Sequence, residues 1–419
     1  MDLNNPEIKR WTDSGTACWG VTDEYKGELI LDYARRFNLM TFVETGTWHG
    51  GTVEYVKQHF DQIHSIELSP ELVENCRKRF SGSPNIHLYQ GDSGEKIKEL
   101  FGGLKTPTLF WLDAHPSGGD TVGTYSPLEK ELTAIFESGV KGVILIDDLQ
   151  DCWEHNWAEV AMRTVAKYSG WRHEITHGIM RIVSVDASVI IPLYNLQDFV
   201  GQTIESALNQ THRFFEVIVV NDGSTDGSLN VAKRYGDRII LIDQQNAGLN
   251  ASRNAGARVS TGTFLLPLDA DDWIEPTYLE KTIPLMTEGI GVVSTDMDIF
   301  GEVSRADISG EVNRLQPIGR PTLEIQKWAN TMPCCSLIRR TAFNQAGGYS
   351  ARPDIQAYGD WNLWIDILKR GWKVASLAEP LFHYRVRPIS MSLEVSSKHA
   401  ELAKAIRRNH PDLFRLEER

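Results

Sequence analysis

The chain restarts itself halfway along. Up to about residue 185, short apolar runs alternate with amphipathic stretches, and from residue 188 the same alternation begins afresh. At the junction, MRIVSVDASVIIPLYN (180–195), two strand-like runs at 182–185 and 188–193 are separated only by Asp186 and Ala187. A two-residue gap normally signals a hairpin. Asp-Ala is poor hairpin chemistry, because tight primed turns want Gly or Asn at positive φ. The two runs are therefore expected to lie in different sheets. With 419 residues, two or three domains are expected, and each half is long enough to bury its own core.

Alternating strand and helix implies a parallel, doubly wound sheet in each half. In the first half, MTFVE (40–44), QIHSIEL (62–68), NIHLYQGD, TPTLFWLDAH and KGVILIDD read as strands. SPELVENCRKRF reads as a helix opened by Ser69 with Pro70 in its first turn. WRHEIT and GIMRIVSV, joined by His177-Gly178, read as a terminal antiparallel hairpin, with His177 a surface residue. Ligands of such sheets sit at the carboxyl ends of the strands. The first strand ends in ETGTWHGGT, whose glycines let a ligand approach the backbone before a helix N-terminus. The second ends at Glu67, placed to accept from ribose hydroxyls, and the third at Asp92, where an adenine edge would lie.

FVETGTWHGGT, IHSIEL and LYQGDS, in that order, resemble the class I S-adenosylmethionine-dependent methyltransferases over about residues 25–185. The resemblance implies that Glu44, Gly46 and Gly50 line the methionine part, Glu67 the ribose and Asp92 the adenine. The fourth and fifth strands end in acid: Asp113 with His115, then Asp147 and Asp148. Carboxylates at neighbouring strand ends can hold a hard divalent ion. The pattern is similar to metal-dependent O-methyltransferases, in which Mg²⁺ holds two acceptor oxygens and lowers the pKa of the one to be methylated. His115 is the candidate general base, with Asp113 beside it. The bland alternative is that these aspartates only cap the next helices.

In the second half the strongest signal is GTFLLPLDADDWIEP, an apolar strand ending in Asp269, Asp271 and Asp272. Three close carboxylates repel one another unless a cation joins them. An Asp-x-Asp pair can hold Mg²⁺ or Mn²⁺ against a diphosphate leaving group. With IIPLYN, VVNDGSTDGS, NAGLNASRNAG and GDWNLW, this set resembles the family-2 inverting glycosyltransferases of the glycosyltransferase-A fold over roughly 187–393. The resemblance implies that Pro192 and Tyr194 flank the nucleobase and Asp222 hydrogen-bonds it. Asn246, Gly248 and Arg253 would wall the nucleotide, Asp269 would face its ribose and Asp271 would hold the metal. Asp360 matches the catalytic base, which takes the acceptor proton during in-line attack. The family motif has an acid before that Asp, and here Gly359 stands there.

LFHYRVRPISMS resembles the family's closing segment, making His383 and Arg385 candidates for the metal or diphosphate. Tyr358, Trp361 and Trp364 are candidates for an acceptor-sugar platform, with the core as the alternative for Trp364. The segment 301–321 reads as an acceptor-side loop. The tail, with a helix at 398–408, reads as amphipathic and solvated, with membrane-surface contact left open.

A net charge of −13 argues against a nucleic-acid partner, which would need a basic stripe. The five cysteines show no ligand spacing and read as reduced thiols, Cys334 and Cys335 as strand residues. There is no secretory h-region and no apolar run near the ~20 residues that span a bilayer. The expectation is a cytoplasmic enzyme, with peripheral contact at the inner face of a membrane left open. Its domains are 1–185 (methyltransferase), 187–393 (glycosyltransferase) and 394–419 (helical tail). Its ligands are S-adenosylmethionine, a divalent metal (Mg or Mn), a nucleotide diphospho-sugar donor and a glycan or small hydroxyl acceptor. The joint task is sugar transfer with inversion and O-methylation of a sugar or related hydroxyl, in surface polysaccharide synthesis. The alternative is a glycosyltransferase carrying a non-catalytic binding or docking module. Oligomeric state is open.

Overall fold

The computed structural model describes residues 23–104, 106–113, 127–147, 157–168, 170–176, 178–301, 314–387 and 399–414. The chain divides into two compact units, Met1–Ser184 and Val185–Arg419.

The first unit runs α1 (Asp23–Phe37), β1 (Thr41–Thr45), α2 (Gly51–Val56), β2 (Gln62–Glu67), α3 (Pro70–Arg79), β3 (Ile86–Gln90), α4 (Ser93–Leu100) and β4 (Thr108–Leu112). It continues with α5 (Leu128–Ser138), β5 (Gly142–Ile146), α6 (Trp157–Val165), β6 (Trp171–Thr176) and β7 (Ile179–Ser184). The seven strands are ordered β3-β2-β1-β4-β5-β7-β6. The first five are parallel, while β7 runs antiparallel to both β5 and β6. β1, β4 and β5 are buried at every residue, as continuous apolar strands covered on both faces must be. The core closes on Val43, Ile66, Phe110, Ile144 and Met180. Caps start the helices where the sequence places them: Ser69 accepts from the amide of Leu72, and Asp92 from that of Glu95. The strand order reverses between β1 and β4, so their carboxyl ends open the crevice where ligands of such sheets bind. The expected terminal hairpin is present, although His177 lies outside the described residues.

The second unit begins with β8 (Ala187–Leu193), α7 (Val200–Leu208), β9 (Phe215–Asp222), α8 (Ser228–Lys233), β10 (Ile240–Gln244), α9 (Leu249–Val259), β11 (Phe264–Pro267) and β12 (Trp273–Ile274). There follow α10 (Tyr278–Thr282), β13 (Ile290–Gly301), β14 (Arg314–Gln316), α11 (Leu323–Gln326), β15 (Leu337–Arg339), α12 (Arg340–Ala346), α13 (Gly359–Lys369), β16 (Lys373–Val386), α14 (His399–Asn409) and α15 (Pro411–Phe414). Its sheet is ordered β10-β9-β8-β11-β15-β13-β16-β12, with β14 beside β13. β10, β9, β8 and β11 are parallel, and β15 reverses direction. Pro192 is tolerated inside β8 because β11 pairs only as far as Ile190.

β7 and β8 thus lie in separate sheets, as the poor turn chemistry implied. Two other expectations change. The segment 301–321 is not wholly loop. β14 pairs with β13, and the Ile318 amide donates to Asp296 at 2.9 Å; residues 302–313 lie outside the described set. The tail helix is not solvated all round, since Ala403, Ala405 and Ile406 of α14 pack with Ile355, Trp361 and Ile365. Cys334 and Cys335 precede β15 rather than lying in it. Among the described residues no helix is long and apolar enough to cross a membrane.

Candidate functional site

In the second unit β11 delivers its apolar residues to the core and then releases the acids at its carboxyl end. Arg253, buried on α9, donates from Nη2 to Asp269 Oδ1 at 2.6 Å. The Cys334 thiol donates to the other Asp269 oxygen at 3.3 Å. Asp271 Oδ2 accepts from Arg387 Nε at 2.6 Å. Asp272 Oδ1 accepts from the Arg385 amide at 2.8 Å, while its buried Oδ2 has no hydrogen-bond partner among the described residues. Burial, and then the neighbouring carboxylates, push Asp272 well above the usual carboxylate range; burial also raises Asp271 against the pull of Arg387. One atom each of Asp269, Asp272 and Cys334 lie within 4.8 Å of one another. A crowded acid set with one orphaned oxygen is chemically suited to a divalent cation, so the residues fit one.

Asp360, at the start of α13, interacts electrostatically with both Arg253 and Asp269. Burial raises its pKa, opposed by the Arg253 charge and by hydrogen bonds from Asn330 and the Trp361 amide. Gly359 has a steric cause: a Cβ there would lie 2.2 Å from Oδ1 of buried Asn250, which itself bonds the Ser350 carbonyl.

The nucleotide wall is organised differently from the expectation. Asp222 is buried, and its carboxylate accepts from Gln244 Nε2 and from the amides of Ala247 and Gly248 at 2.8–2.9 Å. It shapes the loop that carries exposed Asn246 rather than offering a free carboxylate to a base. Gly248 stands at φ 91 with Gln356 where a Cβ would be, so it has to be glycine. Pro192 is buried, whereas Tyr194 is 49% exposed and presents its ring.

Two aromatic assignments are corrected. Trp361 and Trp364 are 2% and 0% exposed, so neither can stack an acceptor sugar; both belong to the core beneath α13. Only Tyr358 remains partly open, with its hydroxyl bonded to His399. His383 stacks on Trp273 at 3.5 Å, with Nδ1 against Asp298 and Nε2 against Glu275. Both nitrogens face carboxylates in this structure. Arg385 bonds the Asp271 carbonyl and Gln202, and Arg387 meets the Asp271 carboxylate. Arg387, Cys334 and Asn330 were not singled out from sequence: Arg387 lies in the closing segment, where His383 and Arg385 were preferred, and Cys334 and Asn330 belong to no spaced motif.

In the first unit the predicted residues gather at the carboxyl ends of β1, β2 and β4. Glu44 is buried, accepts from Ser65 Oγ at 2.6 Å and is pushed up to about 8 by burial. Glu67 uses its two oxygens on the amides of Trp48 and Ser69, both at 2.9 Å, so it clamps the Gly46–Gly50 turn as well as facing the crevice mouth. Asp92 is the cap of α4. Asp113 and Asp147 follow neighbouring strands, and the Asp147 amide bonds Leu112 across them. Asp147 is ion-paired with Lys26. His115 and Asp148 lie outside the described residues. Glu131, not anticipated, is buried beside Ser93 and Thr45 and pushed up to about 7 by burial.

Comparison with known proteins places these features. The family described as "Glycosyl transferase family 2" matches residues 188–347, wholly inside the second unit. The chain is 31% identical over 208 residues to EpsE of Bacillus subtilis (strain 168), named "Putative glycosyltransferase EpsE", covering 47% of this chain and 72% of EpsE. It is 40% identical over 110 residues to glycosyltransferase GlyA of Streptococcus pneumoniae serotype 4, and 42% over 137 residues to YibD of Escherichia coli (strain K12). These matches cover 26% and 32% of this chain but only 16% and 40% of those relatives. The crystal structure of S. aureus TarS 1–349 in complex with UDP aligns over 56% of this chain and 76% of TarS, at 20% identity and a TM-score of 0.40. Through its second unit, this chain belongs to glycosyl transferase family 2.

Proposed function

We propose that the second unit transfers a sugar, with inversion, from a nucleotide diphospho-sugar to a hydroxyl of a glycan or small acceptor. One observation carries this reading: the strand-end acid Asp269 and Asp360 share a single electrostatic neighbourhood around buried Arg253. Tyr194 offers a ring to the base, and the Asp222-held loop forms the wall beside it. Asp269, fixed by Arg253, faces the ribose. Asp271 would hold a divalent ion, which when bound neutralises charge on the diphosphate leaving group. Asp360 removes the acceptor proton, and its raised pKa makes it a stronger base than an exposed carboxylate. The similarity to TuaG of Bacillus subtilis (strain 168), named as a putative teichuronic acid biosynthesis glycosyltransferase, supports a role in surface glycan assembly.

The first unit, in the same proposal, methylates an oxygen from S-adenosylmethionine. The reading rests on its motif order and on the doubly wound sheet closed by an antiparallel hairpin. A screen of sugar nucleotides with Mn²⁺ or Mg²⁺, scored by released nucleotide, tests the glycosyl reading. Asp271→Ala and Asp360→Asn are expected to lose roughly 10²-fold or more in turnover. Unchanged turnover in either variant would remove that residue from the mechanism.

A further inference from the structure

The loop between α11 and β15 is tied to the start of α13 by a closed circuit of hydrogen bonds. Asn330 Nδ2 donates to Asp360 Oδ2 at 2.9 Å. The next residue, Thr331, has its hydroxyl 2.7 Å from Gln326 Nε2, which donates to it. The Gln326 carbonyl in turn accepts from the indole nitrogen of Trp361, the neighbour of Asp360, at 2.6 Å. Gln326 and Trp361 are buried, and so is Met332 on the other side of the pair. Asn330 is therefore bonded directly to Asp360, and its neighbour Thr331 is linked to Trp361 through Gln326. Asn330 itself is exposed, so packing does not hold its amide on the carboxylate. The circuit does.

We infer that Asn330 is a positioning residue for Asp360: its amide fixes the plane of the carboxylate that is to take the acceptor proton. The inference rests on the reading of Asp360 as the base. The physical need follows from the surroundings of Asp360. Burial and the charge of Asp269 favour its protonated, useless form; Arg253, the Trp361 amide and Asn330 oppose them. A neutral donor supports the carboxylate without competing for the acceptor proton, as a second carboxylate would, and without neutralising the base, as a lysine would. The amide also restricts rotation of the carboxylate, which aligns it for proton transfer.

Asn330→Leu removes both amide donors at similar volume, and Asn330→Asp replaces them with a second carboxylate. The pH dependence of turnover is measured on the full chain, using the sugar nucleotide that the screen finds hydrolysed. A donor that stabilises a carboxylate lowers its pKa, so losing it moves the acid limb to higher pH. Asn330→Leu is expected to lose roughly tenfold in kcat near neutral pH, with donor KM unchanged and activity regained as pH rises. Asn330→Asp is expected to shift the limb further. ¹³C-carboxylate NMR of aspartate-labelled protein, with Asp360→Asn assigning the resonance, reads the same upward shift without any substrate. An acid limb and an Asp360 titration left where they are in the unaltered protein, even with activity or stability reduced, would make Asn330 merely structural and overturn the inference. If Asp360→Asn keeps full turnover, the reading of the base fails instead, and the NMR titration still judges the contact.

Discussion

At the scale of the residue, identity follows from what each side chain meets. Gly359 breaks the family motif because Asn250 fills the space where a Cβ would go. Glu44 illustrates the cost of burying an acid. It is held in β1 with its pKa pushed from 4.5 up to about 8, chiefly by burial and against the hydrogen bond from Ser65. Between those values the folded chain keeps a proton that the unfolded chain has lost, so Glu44 makes stability fall as pH rises through that window. Glu44→Gln keeps the hydrogen-bond acceptor and removes the titration. It should flatten this part of the profile, so that thermal melts at about pH 8 favour the variant more than melts at about pH 5. Equal differences at both would contradict the assignment. The strand-end position of Glu44, Glu67 and the three acids after β11 was legible in sequence, since apolar runs ending in acid are visible without coordinates. Their partners were not. Arg253 on Asp269, Arg387 on Asp271 and Lys26 on Asp147 join residues remote in the chain.

At the scale of the element, local pattern determined the type and packing determined the exposed face. Ser69-Pro70 and Asp92 start helices as their chemistry requires. The helix α13 reads DWNLW as if two tryptophans could reach a sugar. Helical periodicity cannot say which stripe is covered, and here the tail covers it. Ile406 of α14 is fully buried in the cluster with Trp361 and Ile365. Ile406→Ala should therefore cost about 2–5 kcal/mol in denaturant unfolding of the second unit. A surface helix would lose almost nothing. Because Trp361 also anchors the Asn330 circuit, the tail supports the geometry of the base at one remove.

At the scale of the whole molecule, two sheets with separate cores make two units. Each core excludes water by itself, so calorimetry should resolve two unfolding transitions. S-adenosylmethionine should release heat on titration into the full chain and raise only one of them, since a ligand stabilises the unit that binds it. A folded chain that gives no heat and no shift would end the methyl-transfer proposal and leave the first unit a non-catalytic module.

The sequence by itself determined the alternation of strand and helix in both halves, the seam at Asp186-Ala187 and the strand ends where chemistry gathers. These depend on period, turn chemistry and the order of motifs, all of which are local. Only the tertiary structure decided which acids already have counter-ions, which aromatics are covered and which amide stands on Asp360. Those outcomes depend on segments far apart in the chain meeting in space, and burial and charge pairing exist only once they have met.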